Sequence, residues 1–257
     1  MQKFIHKVSQ GTRYNQIYIP KENEAEFAVG DLVEVRLLQK HIQLHYNNVK
    51  KINPFKERLI QEVFKFLNQD KKIEQLFIIG SFLSEKADYH DIDIVLLTSH
   101  QDAKKEEEIY QRLTNKFSLK FHIIAIEKQS IEHLLKICPL TRSMFYSYVS
   151  NKSFHQLPKT ELNKDHLRFI LMFPEDLLEV KTLSSRIFYD ALRRLIAIER
   201  FLENKDLNTN NIQQELSQYL GRLYILLREN EPLDKKLILN VQELIKKKLQ
   251  VIHKKIK

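Results

Sequence analysis

The chain has 257 residues with a formal net charge of +9, a pI near 9.3 and 43% hydrophobic residues. That is enough apolar material for a core, which excludes a disordered polyelectrolyte. Its longest apolar runs, 76–80 and 92–97, fall far short of the ~20 residues of a membrane span. The single cysteine, Cys138, lies in an apolar stretch and excludes an intramolecular disulfide framework. A reducing, cytoplasmic setting is expected, with no secretory leader. The basic balance favours a polyanionic partner, although six of the nine excess charges fall after Leu233, on a lysine-rich helix that reads as a solvated face.

In chain order, residues 1–47 suggest short strands at Phe4–Val8, Gln16–Ile19, Leu32–Leu38 and Ile42–His45. Pro20 closes the second, and Gly30-Asp31 is a turn signal before the third. Residues 54–157 alternate helix and strand. Pro54 opens an amphipathic helix carrying Leu59, Val63, Phe66 and Leu67. A strand at 76–79 ends in Gly80-Ser81, and nine residues further on begins Asp91-Ile92-Asp93-Ile94-Val95. A charged helix at 102–117 and a third strand, Leu119–Ile126, complete the middle. From 160 to 257, apolar residues recur at helical spacing through 177–202, 212–227 and 237–256. Asn208-Thr209 and Pro232 mark helix starts, so this region reads as a packed bundle.

The chemistry concentrates at Gly80, Ser81, Asp91 and Asp93. Residues i and i+2 of a strand share a face, roughly 7 Å apart. Asp91 and Asp93 are therefore placed to converge on divalent cations, held by the apolar residues around them. A Gly-Ser step opening a helix-like connector offers unpaired N–H groups to phosphate. Two carboxylates set in an apolar strand without a counter-charge are costly, which favours a functional role over a solvent-facing strand end.

Gly80-Ser81 followed by Asp91-Ile92-Asp93 resembles the signature of the polymerase-β-like nucleotidyltransferase superfamily, especially its minimal branch, over about 70–157. The resemblance implies that Gly80 and Ser81 touch the nucleotide phosphates, with Lys86 as a further triphosphate contact. It also implies that Asp91 and Asp93 bind magnesium and that a nucleoside triphosphate, ATP by expectation, is the donor. The family's third carboxylate falls at His122, in Leu119-Lys120-Phe121-His122. His122 reads either as a general base or neutral metal ligand, or as a half-buried strand histidine bonded to backbone. Glu127 is the one nearby substitute, with the opposite strand parity.

The N-terminal stretch, with Ile17-Tyr18-Ile19-Pro20-Lys21-Glu22 and then Gly30-Asp31-Leu32-Val33-Glu34-Val35-Arg36, resembles the swapped-hairpin domains of the AbrB and MazE type. That implies an intertwined homodimer, with Lys7, Arg13, Lys21 and Arg36 as candidate DNA contacts. Residues 1–50 carry seven basic and five acidic residues, a weak footprint for operator binding. Dimerisation is favoured over dedicated DNA recognition.

The expected fold is α+β in three parts: a swapped-hairpin β domain at 1–47, a nucleotidyltransferase mixed α/β sheet at 54–157, and a helical bundle at 160–257 that holds an acceptor or a partner. Tyr189, Arg193, Arg194, Tyr219 and Arg222 are its candidate cleft residues, each with a competing packing or solvated role. In this bundle the Arg–His spacing of HEPN ribonucleases is absent: no Arg precedes His253 at that distance. The expected function is Mg2+-dependent transfer of a nucleotide, AMP by expectation, to a hydroxyl of a protein, RNA or small molecule. The alternatives are a dimeric DNA-binding regulator or antitoxin with a degenerate, nucleotide-sensing fold, and an inactive scaffold.

Overall fold

The computed structural model describes residues 7–19, 29–35, 42–49, 51–85, 89–100, 103–154, 157–180 and 184–256. The expected contacts Lys21, Arg36 and Lys86 lie outside these residues, as do parts of the strands expected at 4–8 and 32–38. Contacts divide the chain into two compact units, 1–41 and 42–257.

The first unit carries one antiparallel hairpin, β1 (Ser9–Gln10) with β2 (Asn15–Gln16), in register Ser9↔Gln16. Gly11 serves its turn, where a Cβ would stand 2.4 Å from the Tyr14 carbonyl oxygen. The strand expected through Ile19 ends at Gln16, and residues 31–35 form no strand. The physical reason is visible in the burial: Val8, Ile17, Tyr18, Ile19, Leu32, Val33 and Val35 are all exposed. Two short strands without a face to bury are marginal.

In the second unit, no strand forms at 42–44. Of the strand expected at 42–45 only His45 is extended in pairing, as the first residue of β3 (His45–Asn47), which joins the central sheet. Asn53 then caps α1 (Pro54–Leu67), accepting from the Phe55 N–H, with proline at the helix start as expected. Next come β4 (Ile73–Ile79), a 3₁₀ turn over Ser81–Leu83, β5 (Ile92–Thr98), α2 (Ala103–Phe117) and β6 (Phe121–Glu127). After these follow α3 (Lys128–Ile137), α4 (Pro139–Met144) and β7 (Tyr148–Ser150). The helix-like connector after Ser81 is thus a single 3₁₀ turn in its described part.

The five-stranded sheet has the order β3-β7-β4-β5-β6. Only β5 and β6 run parallel, joined by α2; the other pairs are antiparallel. Strand parity splits the sheet into two faces. Leu76, Ile78, Ile92, Ile94 and Leu96 pack with Ile60, Phe64, Ile109 and Leu113 of α1 and α2. Phe77, Ile79, Val95 and Leu97 pack with Ile131 and Leu135 of α3 and with Phe145 and Tyr148. Both faces of the inner strands are covered, which is why 94–97 reads as a continuous apolar run.

The bundle comprises α5 (Lys164–Asp176), α6 (Ser185–Leu202), α7 (Thr209–Leu220), α8 (Leu223–Arg228) and α9 (Lys235–Ile256). Asn208 caps α7 as expected, accepting from Asn210 N–H. The start expected at Pro232 falls at Asp234 instead, whose carboxylate accepts from Leu237 N–H. Proline cannot offer that side-chain acceptor. The bundle buries its own core around Phe188, Leu192, Leu195, Ile196, Leu216, Val241, Ile245 and Ile252. Leu140 of α4 packs on this core. Ser143 Oγ donates to Leu207 O at 3.3 Å, and Tyr146 OH to Asp206 at 3.1 Å, fastening bundle to sheet. No helix among the described residues is long and apolar enough to cross a membrane.

Glu199, 9% exposed on α6, takes ion pairs from Lys248 and Lys255 of α9. Removing one partner of a buried pair leaves its mate uncompensated. Glu199→Ala is expected to lower unfolding stability by about 3 kcal/mol in a urea titration, with the slope unchanged.

Candidate active site

The carboxylate strand sits between β4 and β6, and its register places the site. Asp93 lies opposite Ile79 on β4 and His122 on β6, while Ile79 lies opposite Tyr148 on β7. Tyr148, Ile79, Asp93 and His122 therefore form one row across the sheet, on the face that carries α3 and Phe145. Asp91 immediately precedes β5, and strand parity gives it the face of Asp93.

Gly80 ends β4 at φ +77° and ψ −158°, a conformation that side chains rarely adopt. A Cβ there would lie 2.2 Å from Asp93 Oδ2. The missing side chain thus lets the chain cross directly over the carboxylate. Ser81 follows, exposed, at the start of the 3₁₀ turn. Leu83 N–H and Ser84 N–H are used within the turn, bonding to Gly80 O and Ser81 O.

His122 Nδ1 lies 3.0 Å from Asp93 Oδ1. Asp93 is mostly enclosed, its side chain 24% exposed, while that of His122 is 60% exposed. Burial raises the Asp93 pKa, and the charge of Asp91 adds to the rise. The His122 hydrogen bond and charge, and the charge of Arg193, act the other way without cancelling it. Arg193, on α6, thereby brings the bundle into electrostatic reach of the carboxylates.

Other expected residues fall elsewhere. Glu127 sits at the far end of β6, five residues and about 16 Å of strand from His122. It pairs loosely with His100, so it does not replace the missing carboxylate. Arg194 stacks on Phe173, its guanidinium 4.7 Å from the ring centroid, and Tyr219 OH donates to Leu244 O; both are packing roles. Tyr189 is buried beside Tyr224, and burial first, then Tyr224, pushes its hydroxyl up to about 12. Arg222 is exposed at the start of α8, and Lys7 and Arg13 are exposed in the first unit.

Residues 61–146 match the family model described as Polymerase beta, Nucleotidyltransferase. The matched stretch runs from within α1 to the end of α4 and its flank, and holds Gly80, Ser81, Asp91, Asp93 and His122. It supports a nucleotidyltransferase in general. No curated protein matches the chain significantly.

Among the described residues no group of three or more His, Cys, Asp or Glu is arranged to hold a metal alone. The donor chemistry nevertheless fits magnesium, which commonly takes one or two carboxylates and completes its shell with water and substrate phosphates. Lys56, on α1, is a site neighbour that sequence reasoning misses: it is 3% exposed and donates to the backbone of the turn after Gly80. A lysine in the first turn of an amphipathic helix carries no signal that it points inward.

A raised carboxyl pKa means that the folded protein holds the Asp93 proton more tightly than the unfolded chain does. The corresponding stability is complete below the unfolded value of about 4 and is lost as pH rises through the folded value. Asp93→Asn, which never ionises, is therefore expected to melt above the parent at pH 7. That gap should close as the pH is taken below about 4, measured by melting temperature across pH.

Proposed function

We propose that this chain is a magnesium-dependent nucleotidyltransferase that moves a nucleotide, AMP from ATP, to a hydroxyl of a protein, RNA or small-molecule acceptor. The observation that carries this is the crossing of Gly80 over the Asp93 carboxylate, with Asp91 beside it and an exposed serine at the turn. In this reading Gly80 and Ser81 seat the triphosphate, and Lys86 adds a contact. Asp91 and Asp93 hold Mg2+, which when bound neutralises charge on the phosphate oxygens.

The acceptor oxygen attacks the α-phosphorus, the bond from that phosphorus to the bridging β-phosphate oxygen breaks, and pyrophosphate leaves. The acceptor proton goes to His122. With the proton of Nδ1 donated to Asp93, Nε2 presents its lone pair to the acceptor, and its exposure leaves room for one. Arg193 adds positive charge from the bundle side, where an acceptor enters. For the N-terminal unit, the exposed Val8, Ile17, Ile19, Leu32, Val33 and Val35 favour self-association into a homodimer, through residues 1–41 and not through 42–47, whose β3 belongs to the central sheet. Lys7 and Arg13 are its exposed DNA-contact candidates, joined by Lys21 and Arg36.

Incubation with each labelled nucleoside triphosphate, Mg2+ and cell extract is expected to label one acceptor class and release pyrophosphate. Asp91→Asn with Asp93→Asn should reduce transfer at least a hundredfold. Transfer that persists in the double variant would rule this function out.

A further inference from the structure

Lys56 is placed against ordinary helix chemistry. It stands in the first turn of α1, where the helix dipole disfavours a cation, and it is 3% exposed. Burial lowers its pKa, so the environment works against its charge. A residue that defies both rules and persists needs compensation, and sites where local rules fail are where function concentrates.

The compensation is specific. Lys56 Nζ donates to Phe82 O and to Ser84 O, both at 2.9 Å. It lies 5.2 Å from the centroid of the Phe82 ring and 5.5 Å from that of Tyr89. The two rings meet edge to face, with centroids 4.8 Å apart at 87°. Cations over aromatic faces gain more when shielded from water. One ammonium thus gathers the two carbonyls of the turn after Ser81 and the aromatic residues on both sides of the connector.

We infer that Lys56 is a positioning residue for triphosphate binding: it locks the Gly80–Ser84 turn from behind, so that Gly80 and Ser81 meet the phosphates in a fixed geometry. The inference rests on the nucleotidyltransferase reading above but concerns a residue outside the matched stretch 61–146. The turn spans three residues, Ser81–Leu83. Among the described residues Leu83 N–H bonds to Gly80 O at 3.3 Å and Ser84 N–H to Ser81 O at 3.0 Å, and Phe82 and Leu83 are buried, which leaves the carbonyls of Phe82 and Ser84 for Lys56 to fix. A turn that short does not hold its own shape by hydrogen bonding. Lys56 comes from a helix anchored in the sheet core, where Ile60, Val63 and Phe64 are fully buried in the same cluster as Phe82 and Leu83 of the turn. The rigid element thereby lends its order to the loop, which is what a preorganised site requires.

The test compares full-length parent, Lys56→Met and Lys56→Arg for equilibrium binding of Mg-ATP, alongside thermal melts. Lys56→Met fills the same space without donors. It is expected to keep a cooperative melt while its Kd rises at least tenfold. Lys56→Arg restores charge and donors and should recover a Kd within about threefold of the parent, a rescue that a packing role would not give. In turnover, the Met variant should raise KM more than it lowers kcat. If Lys56→Met has no cooperative melt, the comparison moves to Lys56→Gln, which keeps one donor, with the same tenfold threshold. A folded Met or Gln variant that binds within twofold of the parent overturns the positioning role and leaves the nucleotidyltransferase reading intact. A parent that binds no triphosphate overturns both.

Discussion

The close approach of Gly80 to the Asp93 carboxylate is the contact on which the rest of the site depends. Oδ2 of Asp93 occupies the space where any other residue at 80 would place its Cβ, at 2.2 Å. The positive φ of Gly80 turns the chain off β4 at that point and sends Ser81 across the end of the sheet. A phosphate-facing turn and a carboxylate strand are thereby held at one backbone thickness, without a side chain between them. Every other feature near the site maintains that arrangement. The antiparallel register fixes Asp93 opposite Ile79, His122 restrains Oδ1, and Lys56 clasps the turn from its far side.

This arrangement works against stability. Burial and Asp91 both push the Asp93 pKa up, and the charges that oppose them come from a histidine and an arginine on separate elements. A buried carboxylate with an acidic neighbour is a poor choice for packing and a good one for attracting a divalent cation. The same reasoning separates His122 from the other histidines. His253 pairs with Glu175 within the bundle, and His166 is half-buried, with its pKa lowered by burial and then by His133. Among the described residues His122 alone joins a site carboxylate while staying exposed, which suits a group that must exchange a proton with an incoming hydroxyl.

Much of this was legible in residue order because its signals are local. The apolar run after Ile92 can only be a doubly covered strand, so the parity of Asp91 and Asp93 follows. The stripes from 177 onward announce the bundle, since helical spacing survives without tertiary knowledge. Other parts were not local. β7 is three residues, Tyr148–Ser150, with no alternation to mark it, yet it separates β3 from β4 in the sheet. The connector after Ser81 looked helical because its composition is polar, and a 3₁₀ turn has no sequence period of its own. Arg193 reaches Asp93 only because α4 packs on α6 and carries the bundle to that side of the sheet, and Lys56 reads as an ordinary solvated lysine. The register also disposes of Glu127, which sequence distance alone left as a substitute.

The most direct measurement is Mg-ATP affinity of Gly80→Ala, set beside its melting temperature. The added methyl must displace the Asp93 carboxylate, and positive φ costs it about 1–2 kcal/mol, so a melt lowered by a few degrees is expected. Affinity should fall more than tenfold in protein that remains folded. A folded Gly80→Ala variant that binds Mg-ATP as the parent does would show that the crossing of Gly80 over Asp93 is not where the nucleotide sits.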